Sequence, residues 1–361
     1  MSSKLEVDKR ELVPAEEIKT LVSSVFREVG CDEDISEFVA EHLVESNLKG
    51  VESHGVMRMI QYVEQLESGY MNATGRPSLN QNDKGAWIVD GHGGFGMPAL
   101  QLGVEKAVEE AKEKGISTVA VLHCGHTGRV GAFAEKGAEA GCLTIWVGGG
   151  GHKDWPQVAP YGGAKGVLPT NPYAFGIPGG KRGSIVLDFA TGQIAGGWIY
   201  AAKSAGVMLP EGMLIDENGN PTRDPDDYFN GGSILPMAGA KGYGLALLAE
   251  LIGEAMLGPA TTEMNWFCVC VDTSLYSEGK KYMEAAENIL QDLRSCPPLP
   301  GFEKVEIPGE RERDSYTQNQ QNGVAIPFKT WTQMLNLAKR LNVKSKLIKS
   351  SKRLFMQDYE G

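Results

Sequence analysis

Glycine-rich turns between residues 87 and 151 constrain the fold of this chain more than any other feature. Three short apolar segments each run into such a turn, at 87–96, 118–131 and 143–151. Hydrophobic residues at helical spacing follow the first two turns, at 100–114 and 132–140. Because strands that alternate with helices are typical of α/β proteins, the sequence predicts an α/β region whose strand ends are lined by glycine.

Composition limits the class of protein and its partners. The 361 residues include 46 glycines, 42% are hydrophobic and the net charge is -11. This apolar content excludes a disordered chain. The acidic balance disfavours nucleic acid and membrane surfaces as partners, and no apolar stretch reaches the ~18 residues of a membrane span. We therefore expect neither a nucleic-acid partner nor a membrane partner.

Cysteine usage and the N-terminal residues suggest a cytoplasmic protein. The six cysteines show no C-x-x-C spacing, so we expect no metal site. The first residues lack the apolar core of a secretory signal.

Changes in hydrophobic periodicity and in charge along the chain predict three regions. Helical periodicity dominates the start, so residues 1–76 are expected to form a helical region that packs with C-terminal helices at 310–345. Residues 77–309 are expected to form the α/β region, which would bind cofactor and substrate. Seven Lys and Arg with no acid lie between residues 339 and 353, which is typical of a solvated helix end. Residues 346–361 are expected to be a loose basic tail.

Two histidine-containing segments could carry chemistry. Arg58 follows His54 by four residues, a spacing that places both on one face of a helix. An imidazole there could exchange a proton with a substrate oxygen, while the guanidinium holds a carboxylate. His123 and His126 flank a glycine turn just after a strand, where α/β sheets present ligands.

Two further residues suggest contacts with a nucleotide. Asp188 ends an apolar strand, where it could orient a histidine, accept from a ribose or cap a turn. Lys241 lies at a predicted helix start after a glycine bend, which would suit a phosphate. The glycines at 91–96 match a Rossmann fingerprint only loosely, because no acidic residue follows at the end of a second strand. A Rossmann site is not expected.

The order of short motifs resembles the type-2 malate/L-lactate dehydrogenase family over residues 10–342. The motifs are Ser53-His-Gly55, Asp90-Gly91 with Gly96, His126-x-Gly128 with Gly131, Thr170-Asn-Pro172, Asp188-x-Ala190, Leu235-Pro236, Lys241-Gly-Tyr-Gly-Leu245 and Pro308-Gly-Glu-Arg311. The resemblance implies a non-Rossmann α/β fold with a mixed sheet, in which a helical N-terminal region is joined by C-terminal helices. It also implies a homodimer that uses NAD or NADP to interconvert small 2-oxo and 2-hydroxy acids, or cyclic 2-imino acids and their reduced forms.

Residue roles follow from the same resemblance. His54 matches the proton donor or acceptor, with His126 and Asp188 as further catalytic residues. Ser53, Arg58, Thr170 and Asn171 match substrate-binding positions. The cofactor-binding positions would be Gly149, Gly150, Asp188, Phe189, Ala190, Thr191, Lys241, Gly242, Gly309, Glu310 and Arg311.

Some positions depart from the family pattern and leave alternatives open. Arg129 and Val130 stand where small residues are usual beside His126, and Pro169 replaces a glycine. Such changes would affect the substrate. Besides a 2-oxo acid dehydrogenase, the sequence allows a reductase of cyclic 2-imino acids or a family member that binds nucleotide without catalysis. It also allows a metal-dependent hydrolase built on His123, His126 and Asp188.

Overall fold

The computed structural model describes residues 9–347, which form two compact units. One unit contains the chain up to Gly75 together with the chain from Glu312, and the other contains Arg76–Arg311. The expected basic tail at 346–361 lies outside the described residues from 348 onward.

The first unit is mainly helical. Its core forms because α1 buries Ile18, Leu21, Val22, Val25 and Phe26 at helical spacing. A two-stranded antiparallel sheet joins the two chain segments, with Arg10 opposite Pro327 and Val13 opposite Val324. Residues 12 and 13 are therefore strand, where the sequence predicted helix. The elements are β1 (Arg10–Val13), α1 (Ala15–Glu28), α2 (Glu33–Leu48), a 3-10 turn (Glu52–His54), α3 (Arg58–Glu67), most of α10 (Glu310–Asn322), β12 (Val324–Pro327) and α11 (Phe328–Arg340).

A seven-stranded mixed sheet organises the second unit. Its strand order is β2-β3-β4-β11-β5-β6-β7, and only the β3–β4 pair is parallel. The mixed α/β architecture predicted from the sequence is confirmed. The strands are β2 (Ser78–Gln81), β3 (Trp87–Asp90), β4 (Ile116–Leu122), β5 (Cys142–Gly149), β6 (Tyr173–Ile177), β7 (Ile185–Phe189) and β11 (Asn265–Asp272).

Helices and a small sheet complete this unit. Between residues 160 and 235, where turn-forming residues are frequent in the sequence, the structure contains β6, β7, two helices and a three-stranded sheet of order β10-β8-β9. The strands of that sheet are only two residues long, too short for a periodic pattern to appear. The remaining elements are α4 (Gly96–Lys114), α5 (Gly131–Glu139), α6 (Gly196–Ala205), β8 (Leu214–Ile215), β9 (Pro221–Thr222), α7 (Pro225–Phe229), β10 (Ser233–Ile234), α8 (Ala240–Glu250), a π-helical turn (Leu251–Met256), a 3-10 turn (Thr273–Leu275) and α9 (Gly279–Ser295).

Gly149, the last residue of β5, and Gly150 after it lie directly against the backbone of α8 and the π-helical turn. A Cβ on Gly149 would overlap the Ala249 carbonyl, and one on Gly253 would overlap Gly149. This close approach explains the glycines at 149 and 150, whereas a Cβ at 148 or 151 would instead meet the Trp266 ring or the Glu263 carbonyl. Within residues 9–347, no helix combines the length and the apolar character needed to cross a bilayer.

Candidate functional site

In the first unit, the Ser53–His54 turn holds a histidine in a fixed position. Ser53 Oγ lies 2.9 Å from His54 Nδ1, and Arg58 Nε donates to the Ser53 carbonyl at 2.6 Å. His54 and Arg58 are partly exposed. The Ser53 hydroxyl therefore fixes the orientation of the His54 ring through its Nδ1 atom.

Side chains of the first segment and a backbone carbonyl of the second hold the turn. Glu52 is buried and forms an ion pair with Arg10, whose Nη1 also donates to the Ala325 carbonyl at 2.9 Å. Asn47 Oδ1 accepts from Val56 N at 2.7 Å. It also fills the space that a side chain at position 55 would need, so only glycine fits after His54.

The sequence placed His54 and Arg58 on one helix, and this is wrong. His54 ends the 3-10 turn and Arg58 begins α3, with three residues between the two elements. Their side chains are nevertheless linked, because both contact Ser53.

In the second unit, Asp188 caps the start of α5. Its Oδ2 accepts from Gly131 N at 2.6 Å, so the carboxylate of an exposed strand residue lies at a helix N-terminus. The sequence left three possible roles for Asp188, and the structure shows one of them, the capping role. The helix that it caps precedes Asp188 in the chain. His126 lies in the loop before α5, where its Nδ1 accepts from Gly128 N at 3.1 Å.

Arg129, which departs from the family pattern, is buried within the same loop. Its Nη2 lies 3.5 Å from Glu135 on α5. The loop that carries His126 is therefore tied to α5 by a buried ion pair.

Hydrogen bonds join Thr191, which follows Asp188 in the chain, to the predicted residue Thr170 and to Met237 just before α8. Thr191 N and Oγ1 both donate to the Thr170 carbonyl, and Met237 N donates to the Thr191 carbonyl. Met237 precedes α8, whose N-cap Gly239 provides no side-chain cap. The start of α8, with the exposed Lys241 as its second residue, therefore follows within a few residues of the contact with Thr191, and its free first N–H groups suit an anion.

Asn171 and Glu250 form a buried polar pair beside this segment. Asn171 is completely buried, and its Nδ2 donates to Glu250 Oε1 at 2.6 Å. Gly150 N donates to the same carboxylate at 3.0 Å. The resemblance predicts that Asn171 binds substrate, but in the structure its side-chain amide donates a hydrogen bond to another buried side chain of the protein. Gly149 and Gly150 are glycines because of the helix that they contact.

Gly309–Arg311 lies apart from Asp188. Glu310 begins α10, is buried and accepts from Arg294 of α9 at 2.7 Å. Arg182, in the turn between β6 and β7, lies 3.8 Å from the same carboxylate. Gly309–Arg311 therefore neighbours the β6–β7 turn, whereas Asp188 lies near the other end of β7. Phe189 stacks with Phe175 and Tyr173.

His123 has a different partner from the one that a metal-dependent hydrolase would require. Its Nδ1 lies 3.2 Å from Asp90 Oδ2 at the ends of the parallel strands β3 and β4. Burial raises the pKa of Asp90, but hydrogen bonds from His92 N and His123 outweigh it, so the pKa lies below its usual value. In the described part of the chain, His123, His126 and Asp188 do not form a group with convergent ligand atoms.

Sequence reasoning missed the residues that support the predicted ones. Asn47, Glu250 and Arg294 each hold a predicted position by a side-chain contact. Glu250 lies 100 positions from Gly150, so no short motif links the two residues. The only available signal was its place within an otherwise apolar helix.

The chain is similar in sequence and in fold to known dehydrogenases and reductases. The family model for malate/L-lactate dehydrogenase matches residues 13–335. The chain is 30% identical over 327 residues to Δ1-pyrroline-2-carboxylate/Δ1-piperideine-2-carboxylate reductase of Pseudomonas putida, covering 87% of this chain and 93% of that protein. It is 27% identical to malate/(S)-sulfolactate dehydrogenase of Methanothermus fervidus, covering 92% and 98%. The solved malate dehydrogenase of Pyrococcus horikoshii is similar with a TM-score of 0.84 and 27% identity, covering 96% of this chain and 100% of that one.

Proposed function

The chain belongs to the malate/L-lactate dehydrogenase family, and from that premise we propose that it reduces a small 2-oxo acid with NADH or NADPH, using His54 as the proton donor. Dehydrogenase activity with a nicotinamide cofactor is what the family has in common. The geometry of the Ser53–His54–Arg58 turn carries the proposal for this chain, because it sets an oriented imidazole beside a guanidinium.

The second unit offers groups that fit a dinucleotide. The uncapped start of α8 and Lys241 suit a pyrophosphate, and the exposed Asp188 can accept from a hydroxyl or an amide. Thr191 and Ala190 continue this segment, while Gly309–Arg311 would contact a more distant part of the cofactor. When bound, the cofactor supplies or accepts the hydride at the substrate carbon.

The residues of the first unit would handle the substrate and the proton. Two of the five N–H donors of Arg58 bond to Ser53 and Gln61, and its remaining donors suit a substrate carboxylate. As hydride reaches the carbonyl carbon, the electron pair of the C=O bond moves to oxygen. His54 would donate a proton to that oxygen, and in the reverse direction it would accept one from the hydroxyl. Ser53 would keep the ring oriented throughout.

Reduction of a cyclic 2-imino acid is the second candidate. The 30% identity to a pyrroline- and piperideine-carboxylate reductase favours it, and the required steps are equivalent, with imine nitrogen in place of oxygen. Assembly as a homodimer is a further part of the proposal, which the family resemblance supports and light scattering of the purified protein would test.

Substitution of His54 tests the proton-transfer role. We expect His54→Gln to lower kcat about 10²- to 10⁴-fold, since general acid–base catalysis typically contributes that much. The assay follows NADH and NADPH absorbance with pyruvate, oxaloacetate, 2-oxoglutarate and Δ1-pyrroline-2-carboxylate. Cofactor affinity, measured by fluorescence titration, should change little.

Ser53→Ala is the matched variant, because it keeps the imidazole and removes only its orienting partner. Its loss of kcat should be smaller than that of His54→Gln. Equal kcat for wild type and His54→Gln on every active substrate would refute the role of His54. No oxidation of either cofactor with any of the four compounds would refute the proposed reaction.

A further inference from the structure

Three side chains with metal-ligating atoms converge in the second unit. They are His152 in the loop after β5, Glu250 at the end of α8 and Glu254 in the π-helical turn, and their ligand atoms all lie within 4.8 Å of one another. His152 Nδ1 lies 3.3 Å from Glu250 Oε2 and 2.8 Å from Glu254 Oε2. A metal with bonds of about 2.1 Å in tetrahedral geometry separates its ligand atoms by roughly 3.4 Å. The two distances from His152 lie on either side of 3 Å, and the distance between the two carboxylate oxygens is at most 4.8 Å, so small side-chain adjustments would bring all three atoms to that spacing.

Each carboxylate directs one oxygen at His152 while separate donors hold the other oxygen. Glu250 Oε1 accepts from Gly150 N and from Asn171 Nδ2, at 3.0 and 2.6 Å. Glu254 Oε1 accepts from Lys153 Nζ at 3.0 Å. Donors of this kind, placed behind the ligands, are what orient the carboxylates of protein metal sites.

Asn171 supplies an independent indication. Its side chain is completely buried against Glu250, and its Oδ1 has no hydrogen-bond partner in the described structure. Buried polar side-chain atoms are almost always hydrogen-bonded, so the unpaired oxygen beside Glu250 is consistent with an ion or a water bound there.

We propose that His152, Glu250 and Glu254 bind one divalent transition-metal ion, with Zn²⁺ as the best match. An imidazole nitrogen with two carboxylate oxygens suits zinc, whereas Mg²⁺ and Ca²⁺ prefer oxygen ligands alone. Because the ligands come from the loop after β5 and from α8 with its π-helical turn, the ion would fasten that loop to the helix. This role is structural and is separate from the proposed hydride transfer.

The sequence predicted no metal site, for an identifiable reason. His152 is separated from the two glutamates by about 100 residues, so no short ligand spacing exists. The same geometry has one alternative explanation, in which a protonated His152 bridges the two carboxylates without any metal. The two explanations differ in their response to zinc and to pH.

Zinc titration of the full chain tests the proposal. The protein is first treated with chelator, and Cys296→Ser serves as the background because that thiol is exposed. Zn²⁺ is then titrated in competition with a chromophoric chelator, and Co²⁺ by its visible absorption. We expect one ion per chain. We also expect the affinity to fall as the pH decreases through the range in which imidazole protonates, because the ligand must be neutral.

Variants separate this site from adventitious binding. His152→Gln and Glu254→Gln should each weaken zinc binding by more than about 100-fold, beyond the 10- to 100-fold typical of changes behind a ligand. Lys153→Met, which keeps all three ligands but removes the donor behind Glu254, should weaken binding by no more than about 100-fold. Glu217→Gln, which changes no ligand and no donor behind one, should stay within tenfold of the background protein. Zinc should raise the thermal midpoint of the background protein and of these two controls, but not of the ligand variants.

Two outcomes would overturn the proposal. One is no stoichiometric binding of zinc or cobalt, which would leave His152 as a protonated bridge. The other is equal binding by the ligand variants and the controls, which would show an adventitious ion only. Because binding is measured without turnover, neither outcome depends on the proposed reaction.

Discussion

The turn at Ser53–Gly55 and the glycine loop at 148–151 both exclude side chains, but by different means. At Gly55 the obstacle is the end of the Asn47 side chain. At Gly149 it is the backbone of Ala249, and at Gly253 it is the backbone of Gly149. A side chain can rotate or be replaced, whereas the backbone of a packed helix can move only if the helix moves with it.

This difference shows how each region keeps its shape. Side-chain hydrogen bonds and an ion pair hold the first turn, so each of its supports can be removed singly. The loop after β5 is held by direct contact between two backbones, and no single partner can be changed to relieve a new clash there. The two regions should therefore respond differently to the same Gly→Ala change.

The largest effect is expected from Gly149→Ala and Gly253→Ala. Each adds a methyl group where the opposing backbone lies too close, so we expect a loss of about 3 kcal/mol or more in the free energy of unfolding. Urea unfolding followed by circular dichroism measures it. Gly244→Ala is the control, because it lies in α8 with nothing within 4 Å and should stabilise the protein by up to about 1 kcal/mol.

A Gly149→Ala protein within 0.5 kcal/mol of wild type would contradict this account of the loop. An equal loss in Gly244→Ala would also do so, since it would point to a general sensitivity of α8 to substitution.

Gly55→Ala should cost less, about 1–2 kcal/mol, because the Asn47 side chain can move aside. Asn47→Ala alone should cost about 1–3 kcal/mol, since it leaves Val56 N without its acceptor. In the double variant the clash is absent, so the combined loss should fall short of the sum by at least about 0.5 kcal/mol. A double-mutant cycle in urea measures this coupling. Strict additivity would show that Asn47 is not the obstacle.

The fold class could be predicted from the sequence because local patterns encode it. Apolar runs before glycine turns marked β3, β4 and β5, and periodicity marked α1, α4 and α11. The pairing of β1 with β12 could not be predicted, because the partners lie more than 300 residues apart and neither carries a distinctive pattern. The two strands are short, and their pairing depends on tertiary contacts.

The candidate site was predictable only as a list of positions. Motif order placed His54 and Asp188 among the candidates, and their roles stay predictions. Their supports were not predictable, because Asn47 and Glu250 act through contacts that the chain makes only after folding. The capping of α5 by Asp188 likewise joins residues 57 positions apart.

The smallest expected effect on stability comes from Glu110 on α4 in the second unit. Its contacts are made by side chains, so they can be removed without disturbing the packing of the backbone. Hydrogen bonds from Lys106 and Lys114 lower the pKa of Glu110 from 4.5 to about 2. A lowered carboxylate pKa stabilises the folded state fully above pH 4.5, and this contribution is lost as the pH falls towards 2. Glu110→Gln lacks the contribution, so its thermal midpoint should lie below that of wild type at pH 6. Because most of the titration range lies above pH 3, the difference in thermal midpoint should shrink by more than half at that pH.

Glu109→Gln is the control, because it changes an exposed neighbour that also pairs with Lys106. Its difference in thermal midpoint from wild type should change little between the two pH values. A difference that stays constant from pH 6 to pH 3 in Glu110→Gln would show that this ion pair does not contribute to the stability of the second unit.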